Sequence, residues 1–286
     1  MPLVTMNEVL SESIQKKYAV GAFDTMDHLF TEAILMSAEE KNVPVILMVM
    51  ELTFDSQGVD HFMEYLVDRC KNSSVPVALH LDHASCFESI MKAIHYGFTS
   101  VMLDGSSLPF DENVALTKKV VEVAHACNVS VEAEIGHVGG QYGPSDGHVA
   151  DAGDFTTVDE AVLFYKETGI DCLAIAIGSV HGVYKGNPCL DLERLQAIRN
   201  ALPIPLVMHG GSGMRPEDYK HVILHGMNKI NFFTAMTLAG VEAVQKLISE
   251  NRKLQMSDIT NTASKAIAEI VGKHLEIFGT QSLFIK

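Results

Sequence analysis

The chain has 286 residues, 47% of them apolar, which is enough for one large core and fits the roughly 250 residues of a single α/β barrel. The formal net charge of −15 at pH 7 opposes binding to nucleic acids and anionic membranes, whereas glycine amides or a bound cation would still accept an anionic metabolite. The five scattered cysteines, the lack of a signal-peptide pattern and the lack of a long apolar run predict a reduced, cytoplasmic protein.

Short apolar runs recur along the chain, and a longer amphipathic stretch follows each of them. The runs are rich in Val, Ile, Leu and Ala without polar alternation, as in parallel strands buried on both faces. The stretches between them have the apolar spacing of helices, with Asp27 and Asn113 as predicted N-caps. The predicted strands are 19–23, 45–50, 77–81, 100–103, 130–135, 172–177, 206–208 and 229–233.

Eight strand–helix repeats predict an α/β fold, a (β/α)8 TIM barrel forming a single domain over residues 1–286. A doubly wound open sheet is the alternative, but no GxGxxG fingerprint follows the first strand. The glycine-rich segment 136–154 is long and irregular, which is more typical of a functional lid than of a plain connection.

Polar side chains end five of the predicted strands, and in a TIM barrel those ends meet at the face that carries the chemistry. Burying this many ionisable groups together would be costly unless they served a purpose. Three neutral imidazoles with an open fourth position are the usual ligands of a catalytic zinc. In chain order the candidates are Asp82, His83, Asp104, Glu134, His181 and His209. The other histidines considered are interpreted as solvated or packing residues, namely His80, His95, His125, His137, His148, His221 and His225.

Two loops predict a phosphate-binding corner at the same face. The sequence after the seventh strand reads Gly210-Gly211-Ser212-Gly213, and the eighth strand runs into Asn231, Phe232, Phe233 and Thr234. The loops after strands seven and eight bind phosphate in many barrels, because their backbone N–H groups point at the anion. A merely flexible turn is the plainer interpretation of GGSG, but a metal-type histidine directly before it favours the phosphate site.

These motifs together resemble the class II, zinc-dependent fructose- and tagatose-bisphosphate aldolases. The likeness covers nearly the whole chain and is specific, since it includes LHLDHA, SVMLDGSSLPFDENV, VEAEIGHVGG, LAIAIGSVHGVY, LVMHGGSG and KINFFT in the order of the family. It implies a metal-dependent lyase that reversibly cleaves a phosphorylated sugar to dihydroxyacetone phosphate and an aldehyde. It also implies a homo-oligomer, either a dimer or a tetramer.

The resemblance also implies roles for individual residues. His83, His181 and His209 would bind one catalytic Zn²⁺, and Asp82 would move the proton of the hydroxyl group at the cleaved bond. Asp104 and Glu134 would hold an auxiliary cation, such as a monovalent ion, or an alternative metal position. The dihydroxyacetone phosphate half would be bound by Gly182, Gly210, Gly211, Ser212, Asn231, Phe232, Phe233 and Thr234.

Four segments depart from the family pattern, and all of them concern the aldehyde half or proton transfer. The lid sequence GGQYGPSDGH lacks the usual carboxylate after the double glycine, so Asp146 and His148 are the remaining candidates for its base. The loops FDTMDH and VMELTF and the tail MSDITNTASKAI also lack the common acceptor-binding residues. The acceptor aldehyde and the stereochemistry are therefore open.

Two other functions fit parts of the same pattern. A metal-dependent sugar-phosphate isomerase or epimerase would use the same enediolate chemistry and the same phosphate corner. A non-catalytic, aldolase-like partner subunit would account for the missing lid carboxylate, although a scaffold has no need of an intact three-histidine set.

Overall fold

Eight parallel strands close into a barrel in chain order, from β1 beside β2 round to β8 beside β1. The computed structural model of the chain describes residues 2–139, 155–182, 184, 186, 188–250 and 253–283. The strands are β1 (Val20–Asp24), β2 (Val45–Met50), β3 (Val77–Ala84), β4 (Ser100–Leu103), β5 (Ser130–Ile135), β6 (Cys172–Ile175), β7 (Leu206–Met208) and β8 (Met227–Phe232).

Helices follow the strands on the outside of the barrel, and a 3-10 helix over Glu51–Asp55 follows β2. Among the described residues, none of the helices has the length and apolar character needed to cross a bilayer. The helices are α1 (Met6–Leu10), α2 (Ser13–Lys16), α3 (His28–Lys41), α4 (Val59–Lys71), α5 (Phe87–Tyr96), α6 (Phe110–Ala126), α7 (Val158–Thr168), α8 (Leu192–Ala201), α9 (Pro216–Leu224), α10 (Thr234–Glu250) and α11 (Met256–Ile277).

The predicted TIM barrel is confirmed, and β2, β4, β5 and β7 have the predicted bounds. β6 ends two residues earlier than expected, at Ile175. The reason is that the backbone of the next residue, Ala176, bonds to Thr156 instead of to a neighbouring strand. Its N–H donates to the Thr156 hydroxyl group, and its carbonyl accepts from the Thr156 N–H. β3 is three residues longer than expected, and this extension contains two of the candidate site residues.

The two predicted N-caps have different outcomes. Asp27 caps α3 as expected, because its side chain accepts a hydrogen bond of 3.0 Å from the N–H of Phe30. The prediction for Asn113 is wrong, since α6 already begins at Phe110 and Asn113 lies buried inside it. There the Asn113 amide donates to the backbone carbonyl of Glu134 at 2.9 Å, which ties α6 to the end of β5.

The apolar core has two layers that leave the barrel accessible from one end. The larger layer fills the space between the strands and the outer helices. The smaller layer lies inside the barrel, where strand residues such as Ala78 and Val207 meet Met6 and Val9 of α1 and Tyr18. Because this apolar plug involves the helix before β1, it closes the N-terminal end, and the polar residues of the interior lie nearer the carboxyl ends of the strands.

Candidate metal centre and phosphate-binding corner

Three histidines from separate strands meet at the C-terminal mouth of the barrel. His83 lies near the end of β3, His181 follows β6, and His209 comes directly after β7. One ring nitrogen of each lies within 4.8 Å of the corresponding nitrogen of the other two. Two of these atoms, His83 Nε2 and His209 Nδ1, are 2.7 Å apart. The geometry therefore offers three imidazole nitrogens to one common point.

An irregularity in β3 lets two consecutive residues face this point. Successive side chains of a regular strand point to opposite faces of the sheet, so Asp82 and His83 could not both face the mouth. The pairing of β3 with β4 shifts register between Leu81 and Ala84, and His83 has a φ of +50°, which is uncommon for a residue with a side chain. Both residues consequently line the same cavity.

Two carboxylates, the partly buried Asp104 and the fully buried Glu132, each hold one of the three rings. Asp104 Oδ2 lies 2.8 Å from His83 Nδ1, and Glu132 Oε1 lies 2.9 Å from His209 Nε2. A ring nitrogen bonded to a carboxylate keeps its proton, so the opposite nitrogen is the one turned towards the common point. Asp104 is itself fixed by the N–H and the hydroxyl group of Ser106. His181 is positioned through its backbone, whose N–H donates to the Gly139 carbonyl at 2.8 Å.

The electrostatics of the cluster suit a cation. Burial and the charge of His83 lower the pKa of His181 to about 3, and the same two causes hold the pKa of His209 well below its ordinary value. Burial also lowers the pKa of His83, but Asp82 and the hydrogen bond with Asp104 outweigh it and raise this pKa to about 10. Two rings are thus neutral, the form that binds metals, and the His83 ring carries an additional proton that a metal ion would displace. The donor set therefore fits a divalent metal.

A second group of possible ligands shares His83 and adds Asp104 and Glu134, again with donor atoms within 4.8 Å of one another. Glu134 is buried, and burial together with the nearby Asp104 charge raises its pKa to about 8. Its Oε2 atom accepts no hydrogen bond from the described part of the chain. The structure thus brings together the two carboxylates that the sequence suggested for an auxiliary cation, although Asp104 also serves His83.

Asp82 lies beside the three histidines and is almost completely buried, with 2% of its surface exposed. Its Oδ1 accepts a hydrogen bond of 3.1 Å from the Asn231 amide, and its Oδ2 lies 3.8 Å from His83 Nε2. Burial raises the pKa of Asp82, while the charge of His83 opposes the shift. A carboxyl group in this environment is able to take up and return a proton within the cavity.

The cavity that contains these groups has an empty volume of about 380 Å³. It also reaches the two loops that the sequence predicted as a phosphate corner, so metal-type ligands and anion-type loops face the same space. Its lining residues are Asp24, Asp82, His83, His181, Gly182, His209, Gly210, Gly211, Ser212, Asn231, Phe232, Phe233 and Thr234.

The paired glycines after β7 are required by close backbone packing. Gly210 has a φ of +70°, and a Cβ atom there would lie 2.3 Å from the carbonyl oxygen of Val180. A Cβ at Gly211 would lie 2.6 Å from the carbonyl oxygen of Asn231, to which the Gly211 N–H donates at 3.1 Å. Only glycine allows the loop after β7 to approach so closely to the loop after β6 and to the end of β8.

Ser212 joins the glycine loop to the start of α10. Its hydroxyl oxygen accepts hydrogen bonds from the N–H groups of Phe233 at 3.1 Å and Ala235 at 3.4 Å. The positive end of the α10 dipole therefore lies at the cavity wall, where Thr234 begins the helix. Glycine amides, a hydroxyl group and a helix N-terminus together make a suitable environment for a phosphate group.

Three buried charged residues near the histidines were missed by the sequence interpretation. Asp24 ends β1 and lines the cavity, and burial together with Asp82 raises its pKa well above the ordinary value. The signal for Asp24 was present, since it closes an apolar run like the other candidates. Glu132 and Lys229 lie deeper in the barrel, fully buried, with a Lys229 Nζ to Glu132 Oε2 distance of 2.8 Å. Their signal was a charge within a predicted strand rather than at its carboxyl end.

Of the histidines interpreted as solvated or packing, His80 is fully buried inside the barrel, where its Nδ1 lies 2.8 Å from the Ser100 hydroxyl group. Asp146 and His148, the sequence candidates for a lid base, lie outside the described residues.

Comparison with known proteins identifies the family and agrees with the fold. The model of the family described as "Fructose-bisphosphate aldolase class-II" matches residues 4–282. The probable fructose-bisphosphate aldolase of Bacillus subtilis (strain 168) is 44% identical over 287 residues, covering 99% of both chains. The fructose-bisphosphate aldolase of Geobacillus stearothermophilus is 44% identical and covers 98% of both. The crystal structure of the YdjI aldolase from Escherichia coli K12 is 31% identical, with a TM-score of 0.86 over 97% of this chain and 98% of that one.

Proposed function

The chain belongs to the class II fructose-bisphosphate aldolase family, and on this basis we propose that it reversibly cleaves a ketose phosphate to dihydroxyacetone phosphate and an aldehyde. The observation that carries the proposal is the single cavity in which the three histidines, Asp82 and the phosphate corner lie together. Each of the three parts serves a different requirement of the reaction: stabilising an anion, moving a proton and holding the phosphorylated half.

The three histidines would hold a catalytic zinc ion, since three imidazoles with an open position are the usual set for that metal. When bound, such an ion supplies Lewis-acid stabilisation of the enediolate charge that carbon–carbon cleavage next to a ketone leaves behind. Asp104 and Glu134 would hold an auxiliary cation next to this site. The fit of the donor set supports both assignments, because neutral rings and nearby carboxylates favour a cation there.

Asp82 would remove the proton from the substrate hydroxyl group during cleavage and return it during synthesis. The Asn231 amide holds its Oδ1, so the carboxyl group is fixed in the cavity wall. Only 2% of its surface is exposed, which limits its contact with bulk water. This arrangement supports a general acid–base role, which typically contributes about 10²–10⁴-fold to the rate.

The phosphate corner would bind the dihydroxyacetone phosphate half through Gly210, Gly211 and Ser212 and through the residues at the start of α10. Binding at this remote group orients the reacting carbons and so contributes to catalysis without taking part in the chemistry. Gly182, which also lines the cavity, would close the corner from the β6 side.

The direct test is to incubate the zinc-supplemented protein with dihydroxyacetone phosphate and a panel of phosphorylated and non-phosphorylated aldehydes. We expect ketose phosphates with the combined carbon number of the two reactants, and release of triose phosphate in the reverse direction. An isomerase or epimerase would conserve carbon number. If neither condensation nor cleavage occurs with any aldehyde while zinc is bound, the proposed activity is wrong.

Removing the metal should abolish activity reversibly. We expect treatment with a chelator to lower the rate of cleavage by more than about 10³-fold, because several kcal/mol of charge stabilisation is lost. Zinc should restore the rate, and at a hundredfold excess over its Kd it should also raise the free energy of unfolding by about 2.7 kcal/mol. The checks are activity and thermal unfolding before chelation, after chelation and after zinc addition. Unchanged activity in metal-free protein would rule out the metal's role.

Ser212→Ala should weaken binding of the phosphorylated half more than it slows the chemistry. A hydrogen bond to a charged group contributes about 1.5–3 kcal/mol, so we expect the KM for dihydroxyacetone phosphate to rise about 10–100-fold. The change in kcat should be smaller, because the phosphate is bound equally in the ground state and the transition state. Ser249→Ala, on the exposed part of α10, is the control and should leave KM unchanged. An unaltered KM in the Ser212 variant would exclude the residue from the phosphate site.

A further inference from the structure

We propose that Glu132 is a positioning residue that fixes the orientation of the His209 ring for metal binding, and that Lys229 anchors Glu132 in the centre of the barrel. The inference rests on the metal site of the proposed function and adds residues that do not line the substrate cavity. Glu132 therefore acts through His209 rather than on the substrate.

The contacts join three strands across the barrel interior. Glu132 lies on β5, and its Oε1 is 2.9 Å from Nε2 of His209, the residue that follows β7. Its other oxygen, Oε2, accepts a hydrogen bond of 2.8 Å from Nζ of Lys229 on β8. All three side chains have no exposed surface. Each carboxylate oxygen thus has one strong partner, and the carboxylate plane is held from both sides.

Stability alone is a poor explanation for this arrangement. The residues beside it in the barrel are apolar, since Met102 is the strand partner of Glu132 and Val207 is the strand partner of Lys229. A buried ion pair usually stabilises a protein no more than apolar residues of the same volume would, because desolvating both charges is costly. Apolar side chains at positions 132 and 229 would therefore serve the fold at least as well. The contact between Glu132 and His209 is then explained by a role at the metal site rather than by stability.

The role of Glu132 is to determine which nitrogen of the His209 ring faces the metal site. With Nε2 donating to Glu132, the Nδ1 atom of His209 is the nitrogen turned towards His83 Nε2 and the metal site. Without an acceptor at Nε2, the ring would keep a buried, unsatisfied N–H or move its proton to Nδ1, the atom needed for the metal. Asp104 holds His83 in the same manner, so two of the three proposed ligands are oriented by a carboxylate.

Two double variants separate ring positioning from a merely structural ion pair. Glu132→Gln with Lys229→Met and Glu132→Leu with Lys229→Met both remove the two charges together, so neither leaves a buried charge alone. Only the glutamine variant keeps an acceptor oxygen opposite His209 Nε2. The measurements are zinc affinity by competition with a chromophoric chelator, thermal unfolding of the metal-free protein, and the visible absorption spectrum of the cobalt-loaded protein.

We expect the leucine variant to bind zinc about 10–100-fold more weakly than the glutamine variant, the usual effect of losing such a partner. The metal-free forms should unfold at similar temperatures, and the cobalt spectrum should change in the leucine variant alone. Equal zinc affinities would overturn the inference. Absence of zinc binding in the unsubstituted protein would instead refute the metal site of the proposed function.

A measurement on the unsubstituted protein gives the same answer without any variant. Nitrogen-15 NMR of the zinc-loaded protein distinguishes the metal-bound ring nitrogen from the protonated one. We expect His209 to bind zinc through Nδ1 and to carry a proton on Nε2, hydrogen-bonded to Glu132. Binding through Nε2 would overturn the inference even if neither double variant folds.

Discussion

His209→Ala should lower kcat/KM by at least about 10³-fold and remove most of the bound zinc. The substitution deletes one of three nitrogens that meet at the metal site, and the loss of the ion's charge stabilisation costs several kcal/mol in the transition state. The barrel should still form, since the ring lies at the end of β7 beside the cavity and outside the apolar layers. The measurements are steady-state kinetics, zinc content and circular dichroism.

His95→Ala is the matched control for this substitution, because His95 lies in α5 with its side chain exposed. It should leave zinc content and kcat/KM unchanged. A His209 variant that retained a full equivalent of zinc and normal turnover would remove this residue from the metal site.

Asp82→Asn should lower kcat by about 10²–10⁴-fold while zinc content and KM change little. The amide keeps the shape of the side chain, and its oxygen still accepts the hydrogen bond from the Asn231 amide. What is lost is the capacity to take up a proton, so the effect falls on the chemical step. Zinc content and single-turnover cleavage rates measure the two parts separately.

Asp111→Asn, at an exposed position in the first turn of α6, is the control for the loss of one carboxylate and should leave kcat unchanged. If the Asp82 variant cleaved substrate at the normal rate, another group would have to move the proton. If it lost its zinc, the substitution would have disturbed His83 beside it and would say nothing about proton transfer by Asp82 itself.

The fold could be predicted from the sequence because buried parallel strands leave a strong signal. Runs such as 45–50 and 206–208 are apolar without alternation, and the structure places strands there with the same bounds. The prediction failed where local preference competed with tertiary contacts. Asn113 is a favourable N-cap by residue type, but its amide serves better inside α6, bonded to the end of β5.

The sequence predicts the residues of the site that lie at the ends of strands, but not those that lie within strands. The rule that barrel chemistry lies at those ends identified residues that the structure brings into one cavity, such as Asp82 and His209. It did not identify Glu132 and Lys229, because both lie within strands and their contact crosses the interior between β5 and β8. Nor could it foresee the register shift in β3, since a positive φ at His83 follows from neighbouring strands and not from residue type.

The central claim is that His83, His181 and His209 bind one metal ion in the cavity that also holds the phosphate corner. Anomalous X-ray diffraction from crystals of the zinc-loaded protein tests it most directly. The account predicts one strong zinc peak at the point where the three rings meet, about 2.0–2.1 Å from one nitrogen of each. A zinc ion bound elsewhere on the protein, or bound in this cavity without all three histidines, would contradict it.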